Sequence, residues 1–233
     1  MKKILLAITA IMTVSSLSFA QTNNTLGPKE KKDGYTLLFD GTTTNGWHSY
    51  RSNNAGVWHV VDGSLQPDPA ATSGQADLVT DKEYTNFELK LDWKIPVGGN
   101  SGVIFSVHED STYSATYLTG MEMQVLDDIK AEDNKKANHL AGSLYDMIAP
   151  SHPAKPAGEW NSIIIRKLNG HVTLFLNGKQ VVEVQIGSPE WNAALQKSKF
   201  KNWKGFAQYP TGRIALQYHG AAVAFRNIRI KEL

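Results

Sequence analysis

The chain has 233 residues, 41% of them hydrophobic and 20% charged, with a net charge of +2 and no cysteine. That composition is ordinary for a globular protein, and the small charge makes no electrostatic case for nucleic acid or acidic membranes as partners. Without cysteine, disulfides, thiol catalysis and zinc–thiolate sites are excluded.

Residues 1–20 read as a signal peptide. Lys2 and Lys3 open it, Ile4 to Val14 is mostly apolar, and Ser18-Phe19-Ala20 supplies small residues for cleavage after Ala20. The apolar run is too short to span a bilayer comfortably. A periplasmic or secreted protein is therefore expected, with no membrane insertion after processing; an uncleaved anchor is the alternative. Residues 21–33 are polar, carry Gly27-Pro28 and read as a flexible leader. One domain is expected over residues 34–233.

Tyr35 to Phe39 reads as an edge strand closed by the turn Asp40-Gly41. Trp47 and Trp58 bracket a Ser/Asn-rich loop. Val57 to Val61, Asp62-Gly63 and Ser64 to Gln66 read as a tight hairpin, because Asp-Gly supplies the positive φ such turns need. Pro67 to Ala76 reads as a loop. From Phe87 to Ile95, Phe87, Leu89, Leu91, Trp93 and Ile95 alternate with four charged residues. A helix would scatter these side chains around its axis, whereas a strand sorts them onto two faces.

Gly98-Gly99-Asn100-Ser101-Gly102 leads into a short strand, Val103 to Val107. Gly120 to Asp127 follows as a strand that places Met121, Met123 and Val125 on one face and Glu122 and Gln124 on the other. A carboxylate beside a carboxamide on one face suits sugar binding or acid/base chemistry. Residues 128–158 are polar with three prolines and read as a long surface excursion, with Leu140 to Tyr145 able to touch the sheet again. Two Asn-Gly turns, Asn169-Gly170 and Asn177-Gly178, join Trp160 to Lys167, Val172 to Leu176 and Val181 to Ile186 into a meander. Ser188 to Lys197 suits a short helix capped by Ser188. Arg213 to His219 and Ala222 to Ile230 are the last strands. In the first of these Gln217 and His219 alternate with Ile214, Leu216 and Tyr218. Many strands and no βαβ rhythm predict an all-β sandwich of two antiparallel sheets. If the strands of Glu122 and His219 share a sheet, their polar side chains meet on one surface.

Several stretches, in order along residues 34–233, resemble a secreted family named 3-keto-disaccharide hydrolase. They are Leu38-Phe-Asp-Gly41 with Gly46-Trp47; Asn100-Ser-Gly-Val-Ile-Phe105; Glu122-Met-Gln-Val-Leu-Asp127; Ala141-Gly-Ser-Leu-Tyr145; Gly158-Glu-Trp-Asn161; Asn177-Gly178; and Gly212 to Gly220 with Phe225-Arg-Asn-Ile228. Where that family carries Gln-Asp-His-Gly, this chain has Gln217-Tyr218-His219-Gly220, and the changed residue falls on the apolar face. Asp133 and His139 lie in a linker with no family pattern. The resemblance implies a concanavalin A-like jelly roll that binds a sugar or glycoside on its concave sheet and acts on glycosides oxidised at C3.

A ketone at C3 acidifies the hydrogen at C2, so a base can remove it and expel the C1 substituent. Water then adds to the enone. Such chemistry needs a base, an acid for the leaving group and a hydrogen-bond donor for the enolate. Glu122 and His219 are the candidate acid/base pair, with Asp127 as a further catalytic candidate. Asn100, Ser101, Gln124, Tyr145, Trp160, Gln217 and Arg226 are candidates for holding the substrate. No cofactor is implied, although Asp127 or Glu122 suits a hard divalent cation such as calcium.

Each residue also has a plainer reading. Glu122 and Gln124 can face solvent from a strand, and His219 can be a turn histidine. Asp127 can cap a turn, Asn100-Ser101 can make one, Trp160 can be core, and Arg226 can pair with a buried carboxylate. A non-catalytic carbohydrate-binding module of the same shape is the alternative function. An ordinary glycosidase is weaker, since the chain lacks a Glu-x-x-Glu or Glu-x-Asp-x-x-Glu signature. Mass spectrometry of the exported protein is expected to show loss of residues 1–20; retention of Met1 overturns the export reading.

Overall fold

Thirteen strands and two short helices make up a computed structural model that describes residues 22–68, 70 and 77–233. The signal-peptide reading, and much of the Pro67–Ala76 loop, lie outside them. The strands are β1 (Thr36–Leu37), β2 (Trp47–Ser49), β3 (Trp58–Val61), β4 (Ser64–Pro67), β5 (Leu78–Thr80), β6 (Phe87–Lys94), β7 (Asn100–Val107), β8 (Met121–Leu126), β9 (Asn161–Leu168), β10 (His171–Leu176), β11 (Lys179–Gln185), β12 (Arg213–Leu216) and β13 (Ala224–Glu232). The helices are α1 (Pro28–Lys32) and α2 (Pro189–Lys197).

Local chemistry sets the strand pairs. Asp62 and Gly63 both take positive φ, and β3 and β4 pair across them. The Asn-Gly turns behave alike: Asn169 and Gly170 join β9 to β10, and Asn177 and Gly178 join β10 to β11. Along β6 burial alternates strictly, and Phe87, Leu89, Leu91, Trp93 and Ile95 are all buried. The Ser188 hydroxyl accepts the Trp191 amide at 3.1 Å and starts α2, whose Trp191 drops into the core.

Two antiparallel sheets result, as expected. One runs β11-β10-β9-β6-β13-β4-β3, with β1 added to β13; the other runs β2-β5-β12-β7-β8. Between them lie Leu89, Leu91, Trp93, Ile163 and Ile165 from the first sheet and Val103, Phe105, Met121, Met123 and Val125 from the second. A fully buried Leu or Phe contributes about 1.5–3 kcal/mol each. The five-stranded sheet contains β7, β8 and β12, so the segments carrying Asn100, Glu122 and Gln217 are neighbours in one sheet.

Three features depart from expectation. The supposed flexible leader is docked onto the sandwich. Asn24 and Asn227 exchange reciprocal bonds: the Asn24 amide donates to Asn227 Oδ1 at 2.6 Å, and the Asn227 amide donates to Asn24 Oδ1 at 2.8 Å. Asn24 Nδ2 also donates to the Gly63 carbonyl at 2.8 Å, and Arg229 pairs with Glu30 of α1. The β12 strand stops at Leu216, because the Tyr218 amide donates to the Asp77 carboxylate at 2.9 Å instead of to a strand, and the chain turns at Gly220. Residues 140–145 do more than touch the sheet. They line the edge of β8, where the Gly142 amide donates to the Gln124 carbonyl at 2.9 Å, the Gln124 amide to Ser143 at 3.1 Å and the Tyr145 amide to Glu122 at 3.0 Å.

Asn24→Ala is expected to destabilise the protein by about 1–3 kcal/mol, since it removes two bonds and leaves partners unsatisfied. Urea unfolding of the variant measures this; no change in midpoint would mean that residues 22–33 hang free.

Candidate active site

The outer face of the five-stranded sheet carries Glu122 and Gln124 from β8 and Asn100 and Gly102 from β7. Register decides which residues stand together: Gly102 pairs with Gln124 and Ile104 with Glu122. A Cβ on Gly102 would lie 1.8 Å from Glu122 Oε1, so only glycine leaves room for that carboxyl group. Glu122 is only 7% exposed. Burial pushes its pKa up to about 8; the Lys199 ammonium opposes the shift, and the Asp77 and Asp133 carboxylates add to it.

The Gln124 amide is oriented by its neighbours. With its nitrogen toward the Ser101 carbonyl and Glu122 Oε1, each 3.1 Å away, its oxygen lies 3.0 Å from the Asn100 side chain. Gln217, anchored by its amide to the Gly102 carbonyl at 2.9 Å, and His219 beyond it complete the sheet side.

Two loops build the walls. In the first, the Tyr145 hydroxyl donates to Asp133 Oδ2 at 2.7 Å. Asp133 Oδ1 lies 2.7 Å from His139 Nδ1, and His139 Nε2 lies 2.8 Å from Asp146 Oδ1. Asp146 Oδ2 accepts the Lys199 amide at 2.7 Å, which ties this loop to the second one. Burial and the bond to Asp133 raise the Tyr145 pKa, so the phenol stays protonated. The second loop holds Lys199 above the Tyr145 ring at 4.4 Å, with Phe200 and Trp203 packed edge to face at 5.0 Å. Tyr117 leans on Trp203 at 5.9 Å and stays exposed. Together these groups enclose a cavity of about 370 Å³. Lys199 forms no ion pair among the described residues, so its charge is available to the cavity.

The structure thus brings Asn100, Glu122, Gln124, Tyr145, Gln217 and His219 into one pocket and leaves four other candidates out. Ser101 points into the core and donates to the Gln217 carbonyl at 2.8 Å; it positions Gln217 instead of touching a ligand. Asp127 accepts the Gly98 amide at 2.8 Å and the Ile129 amide at 3.0 Å. Burial alone would raise its pKa, but these amides outweigh it and hold the pKa below the usual range. It caps two turns. Trp160 and Arg226 lie on the outer face of the other sheet, where the guanidinium stacks 3.8 Å over the indole and sits 3.7 Å from Asp92. Among the described residues no group of three or more His, Asp or Glu side chains converges as metal ligands.

Lys199, Trp203, Tyr117 and Asp133 were not singled out as site residues. The one local signal is the spacing of Phe200 and Trp203, which places both rings on one side of the single turn Lys199–Asn202.

Because the folded Glu122 pKa lies above its unfolded value of 4.5, the folded state keeps a proton that the unfolded chain releases. The associated stability is full below pH 4.5 and is lost as pH rises toward about 8. Glu122→Gln, which does not ionise, is therefore expected to gain in Tm over wild type between acidic and mildly alkaline pH, by about 2–4 °C per kcal/mol. Thermal melts across that range check this, and a constant difference would mean an ordinary Glu122 pKa. Gly102→Ala is expected to displace the carboxyl group and abolish this pH-dependent difference.

Residues 34–231 match the family described as the 3-keto-alpha-glucoside-1,2-lyase-like domain. A 3-keto-disaccharide hydrolase of Bacteroides thetaiotaomicron is 34% identical over 254 aligned positions, covering 96% of this chain and 87% of that protein. A solved structure from Parabacteroides distasonis, provisionally named a glycosyl hydrolase, aligns at 35% identity with a TM-score of 0.83, over 91% of this chain and 100% of that one. The carbohydrate-binding module CBM66 of Bacillus subtilis shares the fold alone, with a TM-score of 0.53 at 12% identity over 80% of this chain and 96% of its own. The match over residues 34–231 and the 34% identity to the Bacteroides protein place the chain in the 3-keto-disaccharide hydrolase family, that of 3-keto-alpha-glucoside-1,2-lyase-like domains.

Proposed function

We propose that the protein is an exported enzyme that cleaves the glycosidic bond of 3-keto-glycosides or 3-keto-disaccharides, by β-elimination followed by hydration. The observation that carries this reading is the buried Glu122 carboxyl, whose pKa of about 8 makes it a far stronger base, once ionised, than an ordinary carboxylate. A base of that strength suits a C2 hydrogen acidified by the neighbouring ketone.

In this reading Glu122 takes the C2 proton, and the electrons of the C–H bond form the C1–C2 double bond as the C1–O bond breaks. His219 protonates the departing oxygen. Negative charge developing on O3 meets the Lys199 ammonium and the amides of Asn100 and Gln217, while Gln124, bonded to Glu122 and Asn100, holds both in place. Water then adds at C1 and gives its second proton to His219, while the proton on Glu122 returns to C2, giving the free 3-keto sugar. The protonated Tyr145 phenol already donates to Asp133, so its oxygen is free to accept a sugar hydroxyl. The Tyr117 and Trp203 rings offer a wall for the sugar face.

Ordinary glycoside hydrolysis asks for two working carboxylates. The second carboxylate of the pocket, Asp133, has one oxygen on Tyr145 and the other on His139. That occupancy favours elimination. A pure binding module would gain nothing from burying Glu122, because an uncompensated carboxyl group is costly to bury.

Glu122→Gln and His219→Ala are each expected to lower turnover of a 3-keto-glycoside by about 10²–10⁴-fold while the fold stays intact. In wild type kcat/KM should rise with pH through about 8, as Glu122 ionises, and the C2 hydrogen should exchange with deuterated water. Wild-type turnover in both variants would move the acid/base work elsewhere.

A further inference from the structure

Along β9 buried residues alternate with more exposed ones, and Lys167 falls on the buried face with Ile163 and Ile165. Its partners on the neighbouring strands are Phe87 of β6 and Val172 of β10, both fully buried. A lysine thus stands in a row of core side chains and is itself only 3% exposed. Lysine is almost never buried to that degree without a paired charge. Lys167 nevertheless forms no ion pair among the described residues, and its ammonium donates to the Pro210 carbonyl. An ammonium carries three donors, so two remain. Burial pushes the Lys167 pKa down to about 8, with no carboxylate near enough to hold it up.

Lys167 and Pro210 line a cavity of about 310 Å³ beside the Asn169-Gly170 turn, and it shares no residue with the Glu122 pocket. Ile186, Ala207, Pro210 and the Tyr209 ring give it apolar walls. The other polar side chains around it are already engaged. The Thr85 hydroxyl bonds to that of Thr211 at 2.7 Å, and Asn86 Oδ1 accepts the Asn169 amide at 2.8 Å. The Tyr209 hydroxyl meets that of Tyr113 at 3.0 Å, and Gln208 Nε2 donates to the Phe206 carbonyl at 3.2 Å. The Lys167 ammonium is the group with donors to spare.

We infer that this cavity is a binding site for a small monocarboxylate with an apolar body, whose carboxylate pairs with Lys167. The charge count selects the anion: one cation with two spare donors balances one negative charge and bonds its oxygens. A phosphate dianion would leave a second charge uncompensated among apolar walls, which is costly. A neutral ligand would leave the buried ammonium without a counter-charge. Hydrogen bonds between charged partners are the strong ones, and more so away from water. The apolar walls suit a ring or short alkyl chain on the carboxylate.

Calorimetric titration of the purified protein with benzoate, benzamide and acetate tests this. Benzoate has both charge and ring; benzamide lacks the charge, and acetate lacks the ring. Wild type is expected to bind benzoate about 10-fold or more tightly than either, the scale of one charged hydrogen bond or one buried ring. Lys167→Met keeps the length of the side chain and removes the charge, and is expected to weaken benzoate binding by about 10-fold or more. Lys199→Met alters the Glu122 pocket instead, and should leave the benzoate affinity within about twofold of wild type. Loss of binding in Lys199→Met but not in Lys167→Met places benzoate in the Glu122 pocket and overturns the site. Equal affinity of wild type for benzoate and either control, or no benzoate binding at millimolar concentrations, also overturns it, whether or not Lys167→Met folds.

Discussion

The pairing of residues 142–145 with the free edge of β8 is the interaction on which the candidate site depends. An edge strand presents unpaired amides and carbonyls that need a partner. Here the partner is irregular chain, joined through the amides of Gly142, Gln124 and Tyr145. The same three bonds carry Tyr145 to the side of Glu122 and close one wall of the pocket. They turn the outer face of β8 from a wet surface into a buried one, and burial is the largest cause of the raised Glu122 pKa.

The walls are braced by a chain of polar contacts instead of by more sheet. Tyr145, Asp133, His139 and Asp146 follow one another within 2.8 Å, and Asp146 ends the chain on the Lys199 amide. Such a network, fully satisfied, holds two loops in one geometry more specifically than apolar contacts do. It fixes Lys199, the cation that opposes the Glu122 shift, relative to the carboxyl group it acts on. Asp133 also contributes charge, so one set of residues sets both the shape of the pocket and its electrostatics.

Residue type alone does not separate a working side chain from a structural one. Asp127 and Glu122 sit five residues apart on the same stretch, yet Asp127 caps backbone amides while Glu122 faces a cavity. Strand parity and the end of the strand make the difference. Ser101 and Asn100 are adjacent and point to opposite faces, so one tethers Gln217 from the core side and the other lines the pocket. Arg226 stacks on Trp160 on the far sheet, with the half-buried Asp92 carboxylate 3.7 Å from its guanidinium.

The sequence by itself determined the strands, because period-two alternation and Asn-Gly or Asp-Gly turns act over a few residues and need no distant partner. The β6 faces, the β9–β11 meander, the β3–β4 hairpin and the α2 cap are all legible this way, as is the grouping of Glu122 with Gln124 on one face. Tertiary structure alone decided what that face became. The niche at Gly102, the cover from residues 142–145, the ammonium of Lys199 and the rings of Tyr117 and Trp203 come from separate parts of the chain, and no local pattern records their meeting. The docking of Asn24 onto Asn227 spans 203 residues. A pKa, a cavity and a closed loop are set by what surrounds a group in space, and for Glu122 those surroundings are assembled only when the two sheets and both loops have folded around it.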